Sequence, residues 1–176
     1  ASATAMQAVA ASATAMQAVA ASATAMQAVA ASATAMQAVA ASATAMQAVA
    51  ASATARSAIY INYMVTQSIL AGSDIALTAM RNSLNFETVQ NNEKNNNWCS
   101  LYANKCFVLT MRQNNKNTGT YYQNLRTMID GSSVQKLIAE TYNKNVPVGK
   151  FASTLESMVT GYGELNGGQI CEIFKI

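Results

Sequence analysis

Three glutamates near the end of the chain have the chemistry of a hydrolase site. Glu156, Glu164 and Glu172 could include the acid pair of a glycosidase, in which one carboxyl group protonates the leaving oxygen and the other serves as nucleophile or base. Single surface carboxylates on strands and loops explain the same residues more simply. The sequence therefore predicts no catalytic residue and no enzyme activity.

Aromatic side chains beside asparagine-rich segments are the candidates for a ligand-binding surface. Aromatic faces stack on sugars and on protein side chains, and neighbouring amides supply adaptable hydrogen bonds. The alternative is that most of these rings fill a small core or a subunit interface. The candidate residues are Trp98, Tyr102, Tyr121, Tyr122 and Tyr162.

The chain contains no histidine, so the commonest metal ligand and general base is missing. Cys99, Cys106 and Cys171 show no C-x-x-C spacing, which favours buried thiols or one local disulfide over a metal site or a nucleophile. We expect no metal and no cofactor.

Charge and hydropathy narrow the classes of partner further. The net charge of +3 is too small to indicate nucleic-acid binding, and no basic run is interleaved with aromatics. The alanine-rich segment also carries Ser, Thr and Gln in every ten residues, which disfavours insertion into a membrane. A perfect array rarely begins at a natural terminus, so we expect a fragment of a longer chain.

The first part of the chain is an internal repeat, and it precedes the region that carries the candidate residues. Five identical copies of Ala-Ser-Ala-Thr-Ala-Met-Gln-Ala-Val-Ala run from Ala1 to Ala50, and a half copy follows to Ala55. The apolar residues of the decapeptide recur every 10/3, or about 3.3, residues, whereas an α-helix has 3.6 residues per turn. A long helix would have to overwind to keep this spacing, so one continuous helix is disfavoured.

Thr4-Ala5-Met6-Gln7 fits the capping box, which marks a helix start, and it recurs in every copy. Each decapeptide is therefore predicted to form a two-turn helix, about Ala5 to Ala11, followed by a Ser-Ala turn. Such short helices are stable only when stacked, as a narrow solenoid or an intertwined oligomeric stalk. One continuous helical bundle and disorder are the alternatives.

After Ala55 the copies of the repeat become degenerate, and the point where they end predicts the domain boundary. Degenerate copies with larger apolar groups continue over residues 56–90, with Asp74 expected to cap a helix. The polar segment Asn91 to Asn97 marks the boundary. We predict a helical stalk over residues 1–90 and a C-terminal α+β tip domain over residues 91–176.

The tip domain is expected to consist mainly of antiparallel strands. Cys106 to Gln113 alternates Phe107, Leu109 and Met111 against Val108, Thr110 and Arg112, and Thr120 to Ile129 is predicted to return beside it. A capping box at Ser132 to Gln135 predicts a helix extending to Tyr142. A hairpin over Leu155 to Leu165 and Gln169 to Ile176 completes the domain.

The strings Ser-Ala-Thr-Ala-Met-Gln-Ala-Val-Ala and Ser-Ala-Thr-Ala-Arg-Ser-Ala-Ile-Tyr resemble decapeptide arrays in tail fibres and other tail-associated proteins of bacteriophages. The resemblance covers roughly residues 1 to 90. It implies an elongated, often trimeric virion appendage that ends in a recognition tip, and it supplies no functional residue.

The function that the resemblance implies is structural and adhesive. The chain would be the distal part of a viral tail fibre, a homotrimer in the extracellular virion tail that contacts other tail proteins and a host surface glycan or protein. One alternative is a polysaccharide-degrading tip built on the glutamates. Another is an extracellular ice-binding array built on the threonine ladder Thr4, Thr14, Thr24, Thr34 and Thr44. The capping role predicted for threonine counts against this array.

Overall fold

A computed structural model describes residues 2–91, 98–113, 124–129, 133–137, 144–160 and 169–176. The chain divides into two compact units. We call Ala1–Phe86, which is grouped with Ile176, the helical unit, and Glu87–Lys175 the β unit. The fold class expected from the sequence, a row of short helices followed by mainly antiparallel strands, is confirmed.

The helical unit is a succession of α-helices of 8 or 9 residues each, one for every decapeptide of the perfect repeat. At about 1.5 Å per residue each helix is only two turns long. The helices are α1 (Ala3–Ala11), α2 (Ala13–Ala21), α3 (Ala23–Ala30), α4 (Ala33–Ala40), α5 (Ala43–Ala51), α6 (Ala53–Ile61), α7 (Tyr63–Ala71) and α8 (Asp74–Arg81).

Serine, not threonine, is the N-cap residue of every one of these helices except α7, which begins after Asn62, so the predicted capping box is wrong. Ser12 has an extended backbone, with φ −96° and ψ 115°, and its side chain accepts a hydrogen bond from the Ala15 amide. Thr4 lies inside the first turn of α1. A start at serine adds two residues of helix, and therefore more paired backbone, than a start at threonine would. The same correction applies to Asp74, since Ser73 caps α8.

Helices three apart in sequence pack against each other. α1 contacts α4, α2 contacts α5, α3 contacts α6, α4 contacts α7 and α5 contacts α8, in addition to contacts between successive helices. This pattern defines a solenoid with three helices, or about 30 residues, in each turn. We call one such turn a layer. The decapeptides thus stack within a single chain, as the solenoid interpretation expected.

In α3, α4 and α5 the interior of the solenoid is filled by the same three positions of each decapeptide. Met36 and Val39 are fully buried and Ala40 is 2% exposed. Methionine, with its flexible side chain, fills the centre, and alanine allows close approach between backbones. The equivalent methionines Met16, Met26 and Met46 are also fully buried.

A ladder of hydrogen bonds joins one layer to the next. The Ser42 hydroxyl donates to the Ala10 carbonyl, Ser52 donates to Ala20, and Ser73 donates to Ala40. Each of these serines also caps its own helix, so one hydroxyl accepts within a helix and donates between layers. This double role explains why serine occupies the corner position.

The helical array ends earlier than the sequence indicated. The last helix stops at Arg81, and a strand, β1 (Phe86–Asn91), occupies the segment that was expected to hold the final degenerate repeat. Val89 and Asn91 are buried while Thr88 and Gln90 are exposed, so the segment alternates with the period of a strand.

The β unit contains two four-stranded sheets. One has the order β1-β8-β3-β6 and the other β2-β7-β4-β5. The strands after β1 are β2 (Cys99–Tyr102), β3 (Cys106–Gln113), β4 (Asn124–Ile129), β5 (Ser133–Leu137), β6 (Val146–Ala152), β7 (Leu155–Thr160) and β8 (Gln169–Lys175).

An apolar cluster forms the core of the β unit, and both sheets contribute to it. Cys106, Val108, Cys171 and Ile173 come from the first sheet, and Leu155 comes from the second. A buried hydrogen bond of 2.7 Å from Asn91 Nδ2 to Ser157 Oγ also links β1 to β7. The two sheets are therefore held together by burial and by a satisfied polar contact.

Strand β3 was predicted correctly, but the grouping of its side chains was not. A bulge falls between Val108 and Thr110 in its pairing with both β6 and β8. A bulge adds one residue to a strand and shifts the alternation that follows. Met111 consequently joins Val108 in the apolar cluster, although the sequence grouped it with Phe107.

Three further predictions about the β unit are wrong. The expected helix after Ser132 is strand β5 as far as Leu137, paired with β4, and residues 138–143 lie outside the described residues. Strand β4 pairs with β5 and β7, not with β3. Strands β7 and β8 belong to different sheets, so they form no hairpin.

Candidate functional surfaces

Two of the five candidate aromatic residues are described, and both are partly buried. Tyr102 lies in β2 and packs against the apolar cluster, and Trp98 directly precedes the same strand. The pKa of Tyr102 is raised above its ordinary value, mainly because the side chain is partly buried and to a smaller extent because Cys106 and Glu87 lie nearby. Packing against the core is therefore one role of this tyrosine. Tyr121, Tyr122 and Tyr162 lie outside the described residues.

The two described candidate carboxylates lie on strands of different sheets. Glu156 is in β7, and Glu172 is in β8. Glu172 accepts a hydrogen bond of 2.8 Å from the Thr110 hydroxyl on the neighbouring strand β3, which gives it a structural role. Glu164, the third candidate, lies outside the described residues.

None of the three cysteines forms a disulfide. Cys106 and Cys171 are buried in the apolar cluster, and Cys99 is half-buried at the start of β2. Burial raises the pKa of the Cys171 thiol, which suppresses its reactivity as a nucleophile. The part of the chain that the structure describes holds no group of three His, Cys, Asp or Glu side chains able to bind a metal.

The outward faces of the perfect repeat, α1 to α5, are uncharged and repetitive. The glutamines of the perfect repeat are exposed in every copy, and so are the threonines of the first four copies. Between α2 and α5 lies a groove of about 320 Å³, lined by alanines together with Gln17, Thr44 and Gln47. The coat of the perfect repeat is therefore polar but carries no charge.

An apolar patch, which we define as Ile61, Tyr63 and Met64, interrupts this polar coat at the corner between α6 and α7. These side chains are 59%, 51% and 84% exposed. In the decapeptide frame they occupy outward positions that hold Ala, Ala and Thr in the perfect copies. Sequence reasoning missed the patch, although alignment of the degenerate copy with this frame would have found it.

Arg56 takes the place of the core methionine in α6. Its Nη1 donates to the Ala50 carbonyl at 2.9 Å, while its buried Nε has no hydrogen-bond partner among the described residues. Burial lowers the pKa of Arg56. The guanidinium therefore marks the place where the uniform apolar interior ends.

Comparisons with known proteins identify no relative. No protein-family model matches the chain, and no curated protein sequence matches it. Across the described residues, no helix has both the length and the hydropathy that crossing a bilayer requires.

Proposed function

We propose that the chain is a structural and adhesive segment of a viral tail fibre. The helical unit would act as a spacer, and the β unit would contact a host surface glycan or protein. The protein would have no enzymatic activity, and it would work as a homotrimer in the extracellular tail of the virion together with other tail proteins.

The observation that carries this proposal is the repetition of one set of contacts in every layer. Ser42 and Ser52 make the same hydrogen bond one helix apart, and the methionines fill equivalent positions. Identical units that contact only their neighbours can be added without redesign. Copy number would then set the reach of a spacer, since each added layer contributes a helix–helix distance of about 8–10 Å.

The adhesive role is assigned to the β unit because its sequence contains the aromatic and asparagine-rich segments that the repeat lacks. It carries the only tryptophan of the chain, Trp98. The asparagine-rich segments and the other four candidate aromatics also fall within its sequence. Mixed aromatic and amide surfaces suit sugars and protein receptors.

The spacer function can be tested with chains that carry two, five and eight copies of the decapeptide. Small-angle X-ray scattering should give a maximum dimension that rises by about 8–10 Å for every three copies added. A dimension that does not change with copy number would refute the spacer. The same samples in analytical ultracentrifugation should sediment as trimers, and a monomer would remove that part of the proposal.

The adhesive function needs a separate test on cells or isolated envelope. The fluorescently labelled chain should bind the surface of its host, and the variant Trp98→Ala should bind less while keeping the circular dichroism of the parent. The matched control Tyr63→Ala lies in the helical unit and should bind normally. Equal binding by all three proteins, or none, would exclude recognition through Trp98.

An ice-binding array is a second candidate that one observation favours. Because serine caps the helices, the hydroxyls of Thr4, Thr14, Thr24 and Thr34 remain exposed on the outward faces. This removes the main sequence-based objection to a threonine array. Thermal hysteresis of a solution of the chain would support it, and the absence of hysteresis would exclude it.

A further inference from the structure

The groove between α2 and α5 has an equivalent one layer further on, between α5 and α8. Alanines line both grooves, and Gln47 contributes to each of them. The second groove consists of two adjoining depressions of about 390 Å³ and about 260 Å³, which share Gln47, Ala79 and Asn82. The first groove therefore shows what the perfect repeat provides, and the second shows what the degenerate copy adds to it.

The degenerate copy changes the side chains that line the second groove. Asn82 of α8 stands where α5 has Ala51, and Ile75 stands where α5 has Thr44. Asp74 occupies a position that holds alanine in every perfect copy, and it also lines this groove. The groove between α5 and α8 thus gains a carboxylate, a further amide and an apolar side chain.

These groups are accessible to a ligand. Gln47, Asp74, Thr78 and Asn82 are all exposed, and Ile75 is 43% exposed. A carboxylate accepts hydrogen bonds, whereas an amide and a hydroxyl can both donate and accept them. A single depression of about 260 Å³ therefore offers donors, acceptors and an apolar contact.

We propose that the groove between α5 and α8 binds a neutral saccharide. A sugar presents neighbouring hydroxyl groups, which donate and accept hydrogen bonds, beside apolar C–H faces. The Asp74 carboxylate would accept from two such hydroxyls, and hydrogen bonds to a charged group are the stronger kind. Asn82 would complete the polar contacts, and Ile75 would pack against the C–H face. Leu84, which is 98% exposed, lines the adjoining depression and would extend this apolar contact along a longer glycan.

The charge of the groove favours a neutral sugar over an acidic one. Asp74 is the one charged residue among the described residues that line the two depressions. Its carboxylate would repel a sialylated or sulfated glycan, and neither depression offers a lysine or an arginine to compensate. This inference goes beyond the proposed function, which assigns glycan recognition to the β unit alone.

The test is a titration of the ¹⁵N-labelled full chain with glucose, galactose, mannose and N-acetylglucosamine, followed by NMR. We expect at least one of these sugars to cause saturable shifts in the amide resonances of Asp74, Thr78 and Asn82. N-acetylneuraminic acid, which is anionic, should cause no saturable shift there.

Two variants restore the alanine of the perfect repeat. Asp74→Ala should weaken sugar binding at least about tenfold, because it removes hydrogen bonds to a charged group. Asn82→Ala removes neutral hydrogen bonds and should weaken binding less, by about fivefold. Both chains should keep the parent circular dichroism, since α5 forms a helix with alanine at both equivalent positions. The matched control Gln17→Ala changes the groove between α2 and α5 and should bind normally.

Three results would each overturn the inference. One is the absence of saturable shifts with all four neutral sugars. Another is an equal loss of binding in the Gln17→Ala and Asp74→Ala chains, and the third is equally tight binding of N-acetylneuraminic acid. Trp98→Ala, which tests adhesion through the β unit, should leave the sugar-induced shifts at Asp74 unchanged. A failure of the groove would therefore be distinguishable from a failure of the spacer or adhesive function.

Discussion

The two units of this protein are stabilised by contacts of opposite kinds. In the helical unit the same contact recurs at a fixed separation, such as the hydrogen bond from Ser42 to Ala10 and its equivalent one helix later. In the β unit each contact is unique and joins distant segments, such as Asn91 with Ser157 and Thr110 with Glu172. Repeated contacts make stability a sum over layers, whereas unique distant contacts make it cooperative.

The strongest test of this comparison removes a large side chain from the β unit. Phe107 is fully buried and meets Phe151 edge to face, with 4.9 Å between the ring centroids. Phe107→Ala should cost about 3–5 kcal/mol of unfolding free energy. Fluorescence of Trp98 should report early unfolding of the β unit in urea, while the helical circular dichroism at low urea persists. If both signals were lost at the same urea concentration, the two units would not unfold independently.

The second test places one substitution in two layers of the helical unit. Met36 is fully buried, whereas Met6 is half-buried, although their sequence surroundings are identical. Met36→Ala should cost about 2–5 kcal/mol by urea unfolding followed through circular dichroism. The matched variant Met6→Ala should cost clearly less, since its site leaves no enclosed cavity. Equal losses would mean that burial by layer does not control stability.

The third test separates the two roles of the corner serines. Ser42→Ala should lose both the helix cap and the hydrogen bond to Ala10, together about 2 kcal/mol. Ser12→Ala should lose only the cap, about 1 kcal/mol. Thr34→Ala serves as the control for capping by threonine and should change the unfolding free energy by less than about 0.5 kcal/mol. A larger loss of unfolding free energy for Thr34→Ala than for Ser42→Ala would indicate that threonine, not serine, caps the helices.

The fourth test uses the raised pKa of the Cys171 thiol in the β unit. Above about pH 8.5 this thiol ionises in the unfolded chain but stays protonated in the folded one. The unfolded state then binds fewer protons, so stability should fall as pH rises, by up to about 1.4 kcal/mol per pH unit. Urea unfolding monitored through Trp98 fluorescence between pH 8 and 9.5 measures the slope.

The control for this pH dependence is Cys171→Ala, which should unfold with a visibly shallower slope although its stability at pH 7 is lower. The helical unit has no cysteine and should show no comparable slope by circular dichroism. An unchanged slope in the Cys171→Ala chain would show that another group carries the dependence.

Local features of the sequence were sufficient to predict the short helices. The spacing of Met6, Val9 and Met16 disfavours a continuous helix, and a polar capping residue in every copy implies a break in every copy. The choice between Ser and Thr as the cap was not predictable in this way, because both residues suit an N-cap. The contact of Ser42 with Ala10, which lies 32 residues away, favours serine.

The β unit was harder to predict because its pairing depends on distant segments. The alternation in Cys106–Gln113 identified a strand, yet it could not reveal the bulge that moves Met111 to the side of Val108. The segment after Ser132 has apolar residues at helical spacing, but pairing with β4 makes it a strand. Of the candidate aromatics, Tyr102 lies against the core, which no local pattern distinguishes from a binding surface.

The sequence by itself determined that the chain has an uncharged repeat of restarting helices and a separate region rich in strands. Periodicity and capping are local properties, so they are readable along the chain. The tertiary structure alone decided that three helices make a layer, that serine joins the layers, and that β7 and β8 belong to different sheets. These features depend on which distant surfaces meet, and burial and hydrogen bonding select among partners that local sequence leaves equivalent.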